Sequence, residues 1–140
     1  MSNQDEIISL IKAISGQANV LTVPRIYIAM TKGNHRAALF LSQCVYWSDR
    51  TKNGEGWFYK SYREWRDELG LNQHAVETCV KVLCFNGWIE IKLDKVGIRE
   101  TRFYRAIMEK IAESVRAALA ESTLAAAANV PKRKTITSSI

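Results

Sequence analysis

The sequence predicts a mainly α-helical domain with a small antiparallel β-hairpin towards its C-terminal end. Three observations predict this class. Apolar residues recur at helical spacing in several segments, a short Gly70-Leu71-Asn72 turn separates two of these segments, and two short stretches with partial period-two alternation follow. The chain has 140 residues, which is enough for one domain with a hydrophobic core.

Residues 1–19 predict an N-terminal amphipathic helix. Asn3 and Glu6 have the spacing of a capping box, and Gly16 marks the expected end of the helix. Its apolar residues follow at helical spacing: Ile7, Leu10, Ile11 and Ile14. This stripe must be buried, so we expect it to pack against the domain or against a second copy of the chain.

Two more helices are predicted before the turn sequence TKNGEG. The first has Pro24 in its first turn and ends at Gly33. The second begins at the capping residue Asn34 and is predicted to be a core helix, because its apolar residues share one face. These residues are Ala37, Ala38, Leu41, Cys44 and Val45.

The next segment predicts a short strand followed by two helices. WFYK is the strand candidate, and Ser61 with Glu64 forms a second capping-box signature. The helix YREWRDEL starts there and ends at Gly70, after which Asn72 caps a helix that ends near Gly87.

The remaining residues predict a hairpin, a helix and a tail. WIEIKLDK and IRETRFYRAI form the two strands, with VG as the turn between them. An Ala-rich helix is expected over residues 108–128, with Pro131 preventing its continuation, and residues 129–140 are predicted to be a flexible tail.

A helix, a tight turn and an amphipathic second helix have the spacing of a helix-turn-helix. With a strand before them and a two-stranded wing after them, the order is that of a winged helix-turn-helix domain. We place this domain at residues 20–107, with flanking N- and C-terminal helices.

The helix that follows Asn72 has two distinct faces. At 100° per residue its apolar side chains fall in one sector: Ala75, Val76, Cys79, Val80, Val82 and Leu83. Its polar side chains fall in the other: Gln73, His74, Glu77, Thr78 and Lys81. The polar face fits an ordinary solvated surface, and it also fits a helix that reads bases in the major groove of DNA.

Charge favours a polyanionic partner. The net charge is +6, and the wing contains more Lys and Arg than Asp and Glu. We predict that DNA is contacted by Lys60, Arg63, Asn72, Gln73, His74, Thr78, Lys81, Lys95, Arg99 and Arg102. Glu77 would repel phosphates, so it fits this surface only beside a cytosine amino group or a basic neighbour.

The sequence gives little indication of a zinc site, an enzyme site or a surface that stacks on single-stranded bases. The spacing of His74, Cys79 and Cys84 puts successive members about 140° apart on a helix, so they cannot converge on zinc. No nucleophile with a nearby base and no phosphate-binding loop is present, so we predict no enzyme activity, no cofactor and no small-molecule ligand. The tryptophans could stack on single-stranded bases, but core packing is the favoured interpretation.

The cysteines, the N-terminus and the apolar stretches predict the cellular location. Three cysteines form no disulfide framework, which indicates a reducing cytoplasm. An acidic, polar N-terminus indicates no signal peptide, and no apolar stretch approaches the length of a membrane span.

The segments LTVPRIYIAMTKGNHRAALFLSQCVYWSDRT, GWFYKSYREWRDELGLNQHAVETCVKVL and GWIEIK resemble the winged-helix domains of phage and plasmid replication proteins. These include replication organisers of the DnaD-like and phage O-like kind. The resemblance covers roughly residues 20–107 and implies double-stranded DNA binding in replication initiation or control. Such proteins often continue into a second domain that recruits a helicase, whereas this sequence ends after one Ala-rich helix and a tail.

The sequence therefore predicts a DNA-binding replication protein of a phage or mobile element, with replication proteins of the host as a further class of partner. A transcriptional repressor with the same surface is the nearest alternative. An interaction module without DNA binding is another, and Glu77 favours it. We also expect a homodimer, because a lone domain has little room to cover both terminal stripes; the C-terminal one is Ile107, Ile111, Val115 and Leu119.

Overall fold

The computed structural model of the protein describes residues 3–15 and 20–133. Its helices are α1 (Asn3–Ser15), α2 (Arg25–Met30), α3 (His35–Arg50), α4 (Tyr62–Leu69), α5 (Gln73–Phe85) and α6 (Met108–Arg133). Its strands are β1 (Phe58–Tyr59), β2 (Ile89–Val96) and β3 (Arg99–Ala106). The predicted class, mainly helical with a small antiparallel sheet, is confirmed.

Side-chain caps fix where three helices begin. The Asn34 side chain accepts a hydrogen bond from the Ala37 amide at 3.0 Å, which starts α3. Ser61 and Glu64 form a reciprocal capping box at the start of α4. These predicted starts are confirmed, as is the start of α5 after Asn72. Pro24 lies one position outside its helix, at the cap of α2.

The sheet has the strand order β1-β3-β2, with both pairings antiparallel. Phe58 and Tyr104 face each other in the register and are buried, so their side of the sheet packs on the helices. Because side chains alternate along a strand, the partners Tyr59 and Phe103 lie on the opposite side. The predicted hairpin is confirmed.

Trp65 is the centre of the hydrophobic core. Its side chain is fully buried, and its ring centroid lies 4.2 Å from that of Phe40, 5.5 Å from Tyr104 and 6.3 Å from Phe58. The cluster joins α4 to α3, β3 and β1. Trp65 and Trp88 are therefore core residues, as predicted.

The first turns of α6 pack on the domain. Ile111 is buried, and the Trp88 indole donates a hydrogen bond to the Ser114 hydroxyl at 2.8 Å. The predicted end of this helix is wrong, because α6 includes Pro131 and continues to Arg133. Proline has a φ angle compatible with a helix, and the Ala-rich turns before it have high helix propensity. Of the predicted tail, residues 134–140 lie outside the described residues.

The apolar stripe of α1 is exposed to solvent. Leu10 is 58% exposed and Ile7 is 56% exposed, so α1 does not bury these side chains on its own domain. The side chain of Ile14 and the expected stop at Gly16 lie outside the described residues.

The prediction that Lys60 contacts DNA is wrong. We expected its ammonium group to contact phosphate, but the residue is only 7% exposed. The ammonium forms an ion pair with Glu68 and lies 4.1 Å from the ring centroid of Trp47. The Trp47 indole also donates to Glu68, at 2.9 Å. Because its charge is satisfied inside the fold, Lys60 is excluded from the candidate interface.

Replacing Lys60 with Met should therefore destabilise the protein rather than alter ligand binding directly. Breaking a buried ion pair typically costs 3–5 kcal/mol, and we expect about 2 kcal/mol here because Glu68 is partly exposed and can be rehydrated. Urea unfolding measures the change. Lys52→Met is the matched control, and this exposed lysine should shift the free energy of unfolding by less than about 0.5 kcal/mol. Equal effects of the two substitutions would contradict the structural role of Lys60.

Candidate nucleic-acid interface

A tight turn sets α5 across α4. Gly70 ends α4 in the left-handed conformation, with φ of 71°, which a glycine adopts without steric cost. Leu71 follows and is buried, while Leu69 is half-buried against the core. The two leucines anchor the turn on both sides and so fix the crossing of the helices.

One face of α5 is buried and the other is exposed. Its buried residues are Ala75, Val76, Cys79, Val80 and Leu83. Its exposed residues include Gln73, His74, Thr78 and Lys81. The two faces predicted from helical periodicity are therefore confirmed, with Val82 half-buried at the boundary.

Two polar residues at the start of α5 are already engaged by the backbone. The Asn72 side-chain carbonyl accepts from the Ala75 amide at 2.9 Å, and the Thr78 hydroxyl donates to the His74 carbonyl at 3.0 Å. A bidentate contact with adenine needs both ends of an amide, so Asn72 is a capping residue rather than a base reader. Thr78 keeps its methyl group and an acceptor lone pair exposed.

Glu77 is held by two neighbours on other elements. Its carboxylate accepts a hydrogen bond from the Tyr62 hydroxyl at 2.7 Å and forms an ion pair with Arg102. Arg102 also donates to the Tyr62 oxygen at 3.1 Å. These three residues, the Tyr62–Glu77–Arg102 cluster, connect α4, α5 and the hairpin strand β3.

The cluster keeps Glu77 ionised. Burial alone would raise the pKa of this carboxyl, but the hydrogen bonds from Arg102 and Tyr62 outweigh it and lower the pKa below its ordinary value. The pKa of Arg102 is raised, because its bond to Glu77 outweighs the effect of its burial. The charge of Glu77 is thus neutralised locally, by the basic neighbour that the sequence analysis required.

Arg102 is therefore corrected from a DNA contact to a positioning residue. Its side chain is only 18% exposed, and its charge is committed to Glu77. Lys95 and Arg99, near the tip of the β2–β3 hairpin, are exposed. In the described part of the chain, these two residues, Arg63 and Lys81 make no ion pair.

Sequence reasoning missed two contributors. Tyr62 carries no signal of its own, because its role depends on a contact with a residue 15 positions away. Arg36, at the start of α3, is exposed, and it is close enough to α5 that its charge partly offsets the rise in the Cys79 pKa that burial causes. The helix periodicity of α3 marks Arg36 as a surface residue but does not reveal its proximity to α5.

The comparisons with known proteins found no matching family model, no matching curated protein and no matching solved structure. Within residues 3–15 and 20–133, no helix has the length and apolar character needed to cross a bilayer. The same residues hold no group of three or more His, Cys, Asp or Glu side chains arranged to bind a metal ion.

The Tyr62–Glu77–Arg102 cluster predicts a pH dependence of stability. Since the folded-state pKa of Glu77 lies below its unfolded value, its stabilisation is present above about pH 4.3 and is lost as the pH falls through the folded pKa. Wild type should therefore be more stable than Glu77→Gln at pH 7, and the difference should shrink on acidification.

Urea unfolding of both proteins between pH 7 and pH 3 measures this difference. Glu113→Gln is the matched control, since this exposed residue of α6 has no ion pair in the described part of the chain. A gap between wild type and Glu77→Gln that stays constant with pH would contradict the ion pair.

Proposed function

We propose that residues 20–107 form a winged helix-turn-helix domain that binds double-stranded DNA, with α5 in the major groove and the β2–β3 hairpin as the wing. The biological role we propose is initiation or control of replication in a phage or mobile element. That role derives from the sequence resemblance, while the binding surface derives from the geometry of α5 and the wing.

The observation that carries the proposal is the composition of the exposed face of α5. Gln73, His74 and Lys81 project donors and acceptors to solvent from one side of a rigidly packed helix. Glu77 is the one carboxylate of this helix, and it is paired with Arg102. The face can therefore approach a polyanion without an unneutralised carboxylate in the way.

Exposed cations lie on α4 and on the hairpin, the two elements that the Tyr62–Glu77–Arg102 cluster joins to α5. Arg63 lies in the first turn of α4, and Lys95 and Arg99 lie in the wing. Within the described residues none of them is paired with a carboxylate, so their charges are available to phosphates. A helix in the major groove reads bases, while residues on either side of it contact phosphates. The exposed residues of α5 and the nearby cations fit these two roles.

Glu77 no longer favours the interaction module. An unpaired carboxylate on the exposed helix would have been a reason to reject DNA, but the carboxylate is held by Arg102 and Tyr62. A repressor would use the same surface, so the two DNA-binding roles differ in where the target lies: repeats at a replication origin, or a promoter.

Selection of binding sequences from randomised duplexes tests the proposal and supplies the target. Gln73→Ala should then weaken binding to the selected duplex by about 1–3 kcal/mol and leave non-specific binding nearly unchanged, because a base contact is lost while phosphate contacts remain. Fluorescence anisotropy measures both affinities. Ser122→Ala, which removes an exposed hydroxyl from α6, is the matched control and should have no effect.

Salt dependence provides the second arm of the same experiment. Arg99→Ala should lower the slope of log K against log salt by about one unit, whereas Arg116→Ala on α6 should leave the slope unchanged. If selection yields no preferred sequence and Gln73→Ala binds duplex like wild type, α5 is not the reader.

We further propose that the protein forms a two-fold dimer through α1. In the described part of the chain, the side chains of Ile7 and Leu10 are more than half exposed. In the C-terminal stripe, by contrast, Ile111 is buried and Val115 packs partly buried against the core. A second copy of α1 offers the same apolar stripe, and two such stripes bury each other in an isologous contact. The dimer would present two copies of α5 to repeated or palindromic half-sites.

Light scattering at micromolar concentration tests the dimer. Wild type should show a mass above 15.9 kDa that rises with concentration. Leu10→Asp should abolish the increase, because it places a charge in the shared apolar surface. Leu119→Asp is the matched control: this residue is 53% exposed on α6, and the substitution should leave the mass unchanged. A constant monomer mass for wild type would contradict the dimer.

A further inference from the structure

The outer side of the sheet carries one exposed aromatic ring, Tyr59, and two that are half-buried. Tyr59 is 52% exposed, and its ring centroid lies 5.3 Å from that of its cross-strand partner Phe103. Trp57, which immediately precedes β1, is half-buried beside them. We call Trp57, Tyr59 and Phe103 the aromatic sheet face. Aromatic residues are usually buried, so three rings on a solvent-facing side of a sheet need an explanation.

The rings border a cleft that contains positive charge. Its volume is about 460 Å³, and its lining includes all three rings together with Trp47, Arg50 and Lys52. Among the lining residues there are two cations and no carboxylate. Lys52 makes no ion pair within the described residues, and Arg50, whose guanidinium lies over the Tyr46 ring, approaches Asp49 only to 3.9 Å. A surface that places aromatic rings next to such cations is suited to a ligand with both flat rings and negative charge.

More cations lie over the rings themselves. The Lys92 ammonium is 4.4 Å from the ring centroid of Trp57 and 5.8 Å from that of Phe103. The Arg105 guanidinium is 5.2 Å from the centroid of Trp57, but its charge is already paired with Glu90. Lys92 approaches Asp94 only to 3.9 Å and is 41% exposed, so its ammonium can be shared with an anionic ligand.

This face lies on the opposite side of the sheet from α5. Phe58 and Tyr104 turn inwards to the core that also receives the buried side of α5, whereas Tyr59 and Phe103 turn outwards. The cleft beside Trp57 therefore lies on the side of the sheet away from α5, while Tyr59 also borders a second cleft lined by Tyr62, Arg99 and Arg102.

We propose that the aromatic sheet face binds single-stranded DNA. Unpaired bases stack on Tyr59 and Phe103 and enter the cleft beside Trp57, while Arg50, Lys52 and Lys92 contact the phosphates. A protein partner is the less suitable occupant, because lysine is depleted from protein interfaces and two of the three cations here are lysines. The stacking surface stands independently of duplex binding by α5; only the choice of DNA as the polynucleotide rests on the proposed function.

The test is the binding of fluorescein-labelled oligo(dT) to the full chain at low salt, by anisotropy and by quenching of tryptophan fluorescence. Tyr59→Ala should weaken binding by about 5- to 150-fold, which is the loss of one stacked base, while Tyr59→Phe keeps the ring and should bind like wild type. Phe85→Ala is the matched control, since it removes a ring that is 90% exposed on another surface.

A second variant covers the case in which a ring substitution disturbs folding. Lys52→Ala changes an exposed turn residue and should reduce the salt slope for oligo(dT) by about 0.7, the value for one phosphate contact on a single strand. Gln73→Ala should leave oligo(dT) binding unchanged, which separates this site from α5. Absence of oligo(dT) binding by wild type, equal binding by Tyr59→Ala, or loss of binding in Gln73→Ala would each overturn the proposal.

Discussion

The packing of Trp65 is the contact on which the rest of the structure depends. The domain has one short strand and two short helices between residues 58 and 85, and none of these is long enough to be stable alone. Trp65 brings α4 against Phe40 of α3, Phe58 of β1 and Tyr104 of β3. Because this ring fixes α4, the Gly70 turn then fixes the direction of α5.

The same arrangement decides which charges reach the surface. Lys60 lies beside Trp65 and is neutralised by Glu68, while Glu77 is neutralised by Arg102 across the α5–wing contact. Each pair neutralises one positive and one negative charge. The net charge of the protein is therefore the same, but the distribution of charge over its surface differs. The cations that remain free beside α5 include Lys81, Lys95 and Arg99, and this distribution favours a phosphate backbone along one side of the domain.

Local patterns predicted the elements well, because helix caps and periodicity depend on neighbouring residues. The capping box of Ser61 and Glu64, the Asn34 cap and the two faces of α5 all follow from sequence. The assignments of Lys60 and Arg102 did not hold, because each lies in a region rich in basic residues while its partner is a carboxylate that only the fold brings close. The aromatic sheet face was also not predicted. Trp65 is fully buried whereas Trp57 is half-buried, and the sequence shows only that both residues are aromatic.

The proposed function requires that α5 is the element that contacts duplex DNA. Backbone amide chemical-shift mapping during titration with a selected duplex tests this directly, because one measurement reports on the amides of every helix and strand. We expect the shifts to concentrate at residues 73–81 of α5 and 95–99 of the wing, with the outer side of the sheet and α6 unaffected. Shifts confined to the sheet or to α1, with residues 73–81 unchanged under saturating duplex, would contradict it.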